Sequence, residues 1–239
     1  MRIFIIFLCF IASFFVFGKE IDSKEFFAVL QDAARLNGST YGVLEGSAIH
    51  SRREKGRKIT EEFPCFMAVI ITPGKSITQI ILNNDEGYIV GRVQKESTSV
   101  RRLSKKSGLM ERIGLSPRDL AMSFLDGELL KEFEPQTLRM VPCRVFLIYN
   151  KNQQEWVKIY AAKEYFFVLK AEFFKSLPSE KSIPSRTLEV HSFAQKNSLY
   201  YVKALEIFGP GWRTDVEFDK ADMNKYDPEQ GTAIFRRLK

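Results

Sequence analysis

Ile59-Thr60-Glu61-Glu62-Phe63-Pro64-Cys65-Phe66-Met67-Ala68-Val69-Ile70-Ile71-Thr72, then Pro73-Gly74-Lys75, then Ser76-Ile77-Thr78-Gln79-Ile80-Ile81-Leu82 is the stretch on which the fold turns. Both arms are rich in β-branched residues, and a Pro-Gly turn joins them. So short a connection makes antiparallel neighbours, because a parallel crossover needs about a dozen residues or more. The pattern extends both ways: strands are expected at Tyr41–Ser51 and, past the turn Asn83-Asn84-Asp85-Glu86-Gly87, at Tyr88–Gln94. Strands return at Leu138–Tyr149, Trp156–Ala161, Tyr165–Phe173, Arg186–Gln195, Tyr200–Phe208 and Trp212–Phe218. Ten or so strands with little helix imply a mainly β chain: a strongly curved antiparallel sheet or an incomplete barrel, since large sheets curl or split.

Two helical stretches interrupt the strands. Asp22 with Glu25 three residues on makes a capping box, Phe26, Phe27, Leu30, Ala33 and Ala34 follow at helical spacing, and Asn37-Gly38 closes the helix. Ser116-Pro117-Arg118-Asp119 starts the second, with a serine cap, proline at the first helical position and an acid in the first turn; Asp126-Gly127 ends it. Leu120, Phe124 and Met122 supply its apolar side, and Leu109, Met110 and Ile113 suit a further short turn upstream. These helices are expected to cover the concave face of the sheet.

Ahead of them, residues 3–17 are apolar except for Ser13, between Met1-Arg2 and Gly18-Lys19-Glu20. That is the layout of a signal peptide, and it falls short of the roughly 18 to 20 residues that span a bilayer. Cleavage is expected before Lys19, with Val16 and Gly18 as the small residues at the site. Residues 19–239 then form a single domain, since no linker divides them and the proline-dotted Leu177–Pro184 reads as a loop. Cys9 lacks the preceding small residue that lipidation needs.

Lys and Arg number 36 against 29 Asp and Glu, a net charge of +7. The densest clusters, residues 52–58 and Arg101-Arg102 with Lys105-Lys106, fit solvated hairpin ends, with an anionic membrane surface or an acidic partner as the alternative. No nucleic-acid-binding motif is present. His50 and His191 each stand in a strand without a second ligand at metal-site spacing, and no nucleophile elbow, phosphate loop or dinucleotide fingerprint occurs. No enzyme, cofactor or metal is therefore expected. Asp215, Glu217 and Asp219 alternate along one strand face as solvent-facing carboxylates. After cleavage only Cys65 and Cys143 remain; a disulfide between them is left open, and the fold should not depend on it.

The amphipathic first helix, the early hairpins, the stretch Gly114-Leu115-Ser116-Pro117-Arg118-Asp119-Leu120-Ala121-Met122-Ser123-Phe124-Leu125, then Val141-Pro142-Cys143-Arg144-Val145-Phe146-Leu147 and the late Gly211-Trp212 resemble the outer-membrane lipoprotein-sorting proteins, relatives of the periplasmic carrier LolA. The resemblance implies an incomplete antiparallel β-barrel whose helices lie over an apolar cavity. It also implies a periplasmic monomer that binds without catalysing: lipoprotein acyl chains or another lipid are taken from an inner-membrane releasing transporter and passed to an outer-membrane receptor. Phe26, Phe27 and Leu30 of the first helix and Leu120 and Phe124 of the second are the expected cavity or lid residues. The competing function is a periplasmic sensor or protein-interaction module that uses the same fold without lipid transport.

Overall fold

The computed structural model describes residues 21–32, 38–93, 98–104 and 108–238. The expected leader, residues 1–18, lies outside them, as do Ala33, Ala34, Asn37, Lys105 and Lys106. Helix α1 (Ser23–Gln31) begins where expected: the Asp22 carboxylate accepts from the backbone N–H groups of Lys24 and Glu25 at 2.8 and 2.9 Å, which satisfies two donors of the first turn. A five-strand meander follows, β1 (Thr40–Glu54), β2 (Arg57–Thr72), β3 (Lys75–Leu82), β4 (Glu86–Val93) and β5 (Ser99–Arg102). Two short helices, α2 (Leu109–Arg112) and α3 (Pro117–Leu120), and a 3-10 turn (Ser123–Asp126) lead into the second meander. Its strands are β6 (Glu128–Leu138), β7 (Val141–Asn150), β8 (Glu155–Ala162), β9 (Val168–Phe174), β10 (Arg186–Lys196), β11 (Leu199–Gly209) and β12 (Trp212–Lys225).

All twelve strands form one antiparallel sheet in the order β5-β4-β3-β2-β1-β12-β11-β10-β9-β8-β7-β6. The two meanders join through the first and last strands, from Thr40↔Lys225 to Arg52↔Trp212. Their register shifts at Glu45/Gly46, where a Cβ on Gly46 would lie 1.8 Å from the Glu217 carbonyl oxygen; only glycine lets the strands approach so closely. The sheet does not close, because β5 and β6 are its two edges. They are also consecutive in sequence, so the chain between them must cross the sheet.

It crosses the concave face. Met110, Ile113, Leu115, Leu120 and Phe124 pack there with α1 and the inward residues of the strands in one large core. Glu86, 1% exposed, fixes the start of the crossing by accepting from the backbone N–H groups of Gly108, Leu109 and Met110 at 3.1, 2.8 and 3.1 Å. Ser116 caps α3 as its sequence suggests, accepting from Arg118 N at 3.2 Å.

The strand expectations hold in the hairpins and fail at the edges. Leu138–Tyr149 is interrupted by a turn at Arg139-Met140, both at positive φ, and an unexpected strand, β6, precedes it. This edge strand carries Glu, Lys and Pro and two register shifts, so no alternation marks it in sequence. The four exposed residues of β5 are equally silent. Tyr165-Phe166-Phe167 precedes β9 instead of belonging to it, and β12 runs on to Lys225 through a polar segment that pairs with β1. Among the described residues no helix is long and apolar enough to cross a membrane.

Candidate functional site

A cavity of about 820 Å3 lies between the concave face and its helical cover. Leu44 of β1, Met67, Val69 and Ile71 of β2, and Leu205 and Phe218 of β11 and β12 give it apolar walls, since alternate residues of each strand face inward. Ala28 and Leu30 of α1 and Leu120 and Leu125 of the crossing segment cover it. The volume falls within the roughly 300–1,000 Å3 of small-molecule pockets, and the lining is of the kind that takes an apolar ligand.

The two parts of the cover are tied to each other and to the sheet by a few polar contacts. Gln31, on α1, donates from its amide to the carbonyl oxygens of Leu125 and Gly127 at 2.8 and 3.4 Å. Arg92 of β4 grips Asp126 with both ends of its guanidinium, Nε to Oδ1 at 3.0 Å and Nη2 to Oδ1 at 2.6 Å, and Thr98 donates to the same carboxylate. Arg92, Asp126 and Gln31 all line the cavity, so its polar rim is also the seam of its cover.

Deeper anchors hold each part. At the α1 entry, Arg144 donates to Glu132 at 2.6 Å through Nε and Nη2 and to the Ile21 carbonyl at 2.8 Å, with its guanidinium 4.6 Å from the Phe26 ring centre. That bidentate bond holds the Glu132 carboxyl below the usual carboxylate range. Under α3, Arg186 is shared between Asp119 and Glu155, with Nε and Nη2 on Asp119 at 2.7 and 2.9 Å and Nη1 on Glu155 at 2.7 Å. Burial pushes the Asp119 carboxyl up, against the pull of Arg186. Arg186 also lies 3.9 Å over the Phe173 ring.

No family model matches the sequence, and no curated protein is similar to it in sequence. Solved structures are similar in shape. A domain from Vibrio parahaemolyticus described as outer membrane lipoprotein-sorting superposes with a TM-score of 0.62 at 12% identity, over 82% of this chain and 91% of that one. A DUF1329 family protein from Desulfovibrio piger gives 0.60 at 15% identity, over 89% and 98%, and a LolA superfamily protein from Nitrosomonas europaea gives 0.51 at 10% identity, over 88% and 97%. The fold is LolA-like. The chain spans nearly the whole of each of these structures, and at such identities the likeness is one of fold.

Within the LolA-like half-barrel, Leu30 and Leu120 line the cavity. Phe26, Phe27 and Phe124 are instead buried in the core outside the lining, at 2, 3 and 0% exposure. Phe26 and Phe27 both meet Phe146, at ring distances of 5.6 and 5.9 Å, Phe26 also meets Phe166 at 4.7 Å, and Phe124 sits edge-on to Phe173. The disulfide left open is not formed: Cys65 and Cys143 are free, buried thiols on β2 and β7 in separate apolar clusters. Burial pushes the Cys65 thiol up to about 12. His50 is buried with Nδ1 2.9 Å from the Thr214 hydroxyl, and exposed His191 faces Glu206 at 3.3 Å. Among the described residues no cluster of His, Cys, Asp or Glu could hold a metal ion.

Sequence reasoning gives none of Gln31, Arg92, Asp126, Arg144 and Arg186 a part in the cavity or its anchors. A signal for three of them exists in retrospect: Arg92 and Arg144 are lone cations inside apolar strands, and Asp126 closes an apolar helical stretch.

Proposed function

We propose that the chain is a periplasmic carrier that shields acyl chains of a lipoprotein, or another hydrophobic ligand, in the cavity under α1 and the crossing segment and carries them towards the outer membrane. The observation that carries this is the cavity of about 820 Å3, apolar over most of its wall, whose rim is the polar seam of its own cover. Each methylene moved from water into such a space gains about 0.8 kcal/mol, so even part of an acyl chain supplies the binding energy. The Gln31 bonds to Leu125 and Gly127 and the Arg92–Asp126 pair are the contacts a ligand must loosen. Both side chains of that pair are mostly buried, 14 and 16% exposed, so the seam opens only where burial of the acyl chain compensates for the lost pair. Export through a leader cleaved before Lys19 places the carrier in the periplasm; a transporter that releases cargo at the inner membrane and an outer-membrane receptor are the partners such a role calls for.

Native mass spectrometry of the protein purified from periplasmic extract tests this. A co-purifying lipid or acylated peptide, lost when Val69→Trp fills the cavity, is the expected result. An empty cavity together with a stable protein partner would favour the sensor or interaction module instead.

A further inference from the structure

The outer face of β1–β4 carries an apolar strip, Val43, Phe66, Ala68 and Ile81, that would lie open to water if the chain ended at β12. It is covered by the C-terminal tail, whose Ile234, Phe235 and Leu238 pack on it. At the centre of the strip stands Gln79, 1% exposed, on a strand face where a buried amide has no packing reason to be. Both ends of that amide are used on one residue of the tail: Nε2 donates to the Arg236 carbonyl and Oε1 accepts from the Arg236 N–H, each at 2.8 Å. This pair of bonds reads main chain alone and would serve any extended segment.

Side chains around it set a pattern. The Arg236 guanidinium lies 3.9 Å from the Phe66 ring centre and pairs with Glu45, so an arginine is preferred at that place. Leu238 lies against Gly87, where a Cβ would come 2.3 Å from its Cδ1; glycine there makes the hollow for a leucine. The strip is buried at 3% for Phe66 and Ile81 and 0% for Ala68, yet no tail residue from Gly231 to Leu238 is itself buried. A groove of about 620 Å3, lined also by Ile89, Arg101 and Leu103, runs beside the tail. The strip owes that burial to the tail, whose own residues keep part of their surface in water.

We propose that this outer strip is a docking site for an extended peptide segment of a partner protein with the pattern apolar–Phe–Arg–x–Leu, and that the chain's own tail occupies it in cis and limits access. The site lies on the opposite face of the sheet from the cavity and does not depend on what the cavity holds. The tail competes at the effective concentration of a short tether, so the intact protein should bind a partner segment only weakly.

The test uses the full chain and a fluorescein-labelled peptide Ala-Ile-Phe-Arg-Arg-Leu. The double variant Phe235→Ala/Leu238→Ala, which weakens the tail and leaves the strip intact, should bind the probe at least about tenfold tighter than the wild type. Adding Gln79→Leu should remove most of that gain. A folded double variant that binds no tighter, or a gain that survives Gln79→Leu, would overturn the proposal. A second measurement needs no variant: in wild-type hydrogen exchange the Arg236 amide should exchange at least about tenfold faster than the amides of the β2–β3 ladder, through opening of the tail alone. Exchange of Arg236 only with global unfolding would make the tail a fixed part of the fold, and the docking site would fall.

Discussion

Replacing Phe26 by Ala asks whether α1 is a swinging lid or a rooted element. Its ring is 2% exposed, lies 5.6 Å from Phe146 and 4.7 Å from Phe166, and has the Arg144 guanidinium 4.6 Å away. Truncating a phenylalanine so placed costs about 3 to 5 kcal/mol in lost transfer energy and residual cavity. The aromatic and cation–π contacts fall within that figure. They push it towards the upper end, because Arg144 keeps its bonds to Glu132 and Ile21 but loses the face it rests on. Urea unfolding followed by Trp fluorescence should therefore show a fall of about 3 to 5 kcal/mol at unchanged m value. Phe26 lies outside the cavity lining, so the variant, kept below its unfolding midpoint, should bind a fluorescent fatty acid as the wild type does. A loss under about 1.5 kcal/mol with strongly reduced probe binding would mean that α1 rests lightly on the sheet and opens as a lid, against the packing described here.

Other substitutions probe the anchors separately. Arg186→Met strands the buried Asp119 carboxylate and should cost about 3 to 5 kcal/mol, whereas Arg186→Met with Asp119→Leu should recover much of it; additive losses in the double variant would show that the pair is not coupled. Asp126→Asn should loosen the crossing segment from β4 and speed uptake of a fatty-acid probe in stopped flow, with a global stability loss of no more than about 1 to 3 kcal/mol; an unchanged rate would remove the Arg92–Asp126 pair from the seam. For His50, burial first and then the nearby Arg52 hold the folded-state pKa below the ordinary 6.5. Stability is thus full above 6.5 and falls as pH drops through the folded value, by no more than about 1.4 kcal/mol per pH unit, and His50→Leu should flatten that slope between pH 7 and 5. Because Cys65 and Cys143 are both free, a reductant should leave the unfolding midpoint in place; a loss of about 2 kcal/mol or more would reveal a bridge.

How much was legible in sequence follows from where each residue's partners lie. Asp22 and Ser116 were readable as caps because a cap is satisfied within three residues, and the β2–β3 hairpin was readable because its turn and both strands are contiguous. The edge strands β5 and β6 were not, since an edge pairs on one side only and tolerates the charges and proline that alternation cannot show. The seam of the cavity was invisible for a different reason. Arg92 meets Asp126 across 34 positions, Gln31 meets Leu125 across 94, and Arg186 meets Asp119 across 67, so only the placing of β5 and β6 at opposite edges makes them neighbours. Phe26 and Phe27 show the limit of helical periodicity: it marks the buried face of α1 without telling core from cavity, and Leu30, one turn on, reaches the lining beside Ala28 and Gln31.

The most direct measurement of the carrier function is equilibrium binding of a fluorescent long-chain fatty acid to the delipidated full-length protein, beside a variant whose cavity is filled by Val69→Trp. Val69 lines the cavity near the C-terminal end of β2, where it is paired on both sides, so the larger ring should occupy ligand space while the strand pairing is kept. Saturable binding to the wild type, weakened at least about tenfold in a Val69→Trp protein that unfolds as cooperatively as its parent, is the predicted result. No saturable binding to the wild type, or equal affinity in both, would contradict a function based on the cavity.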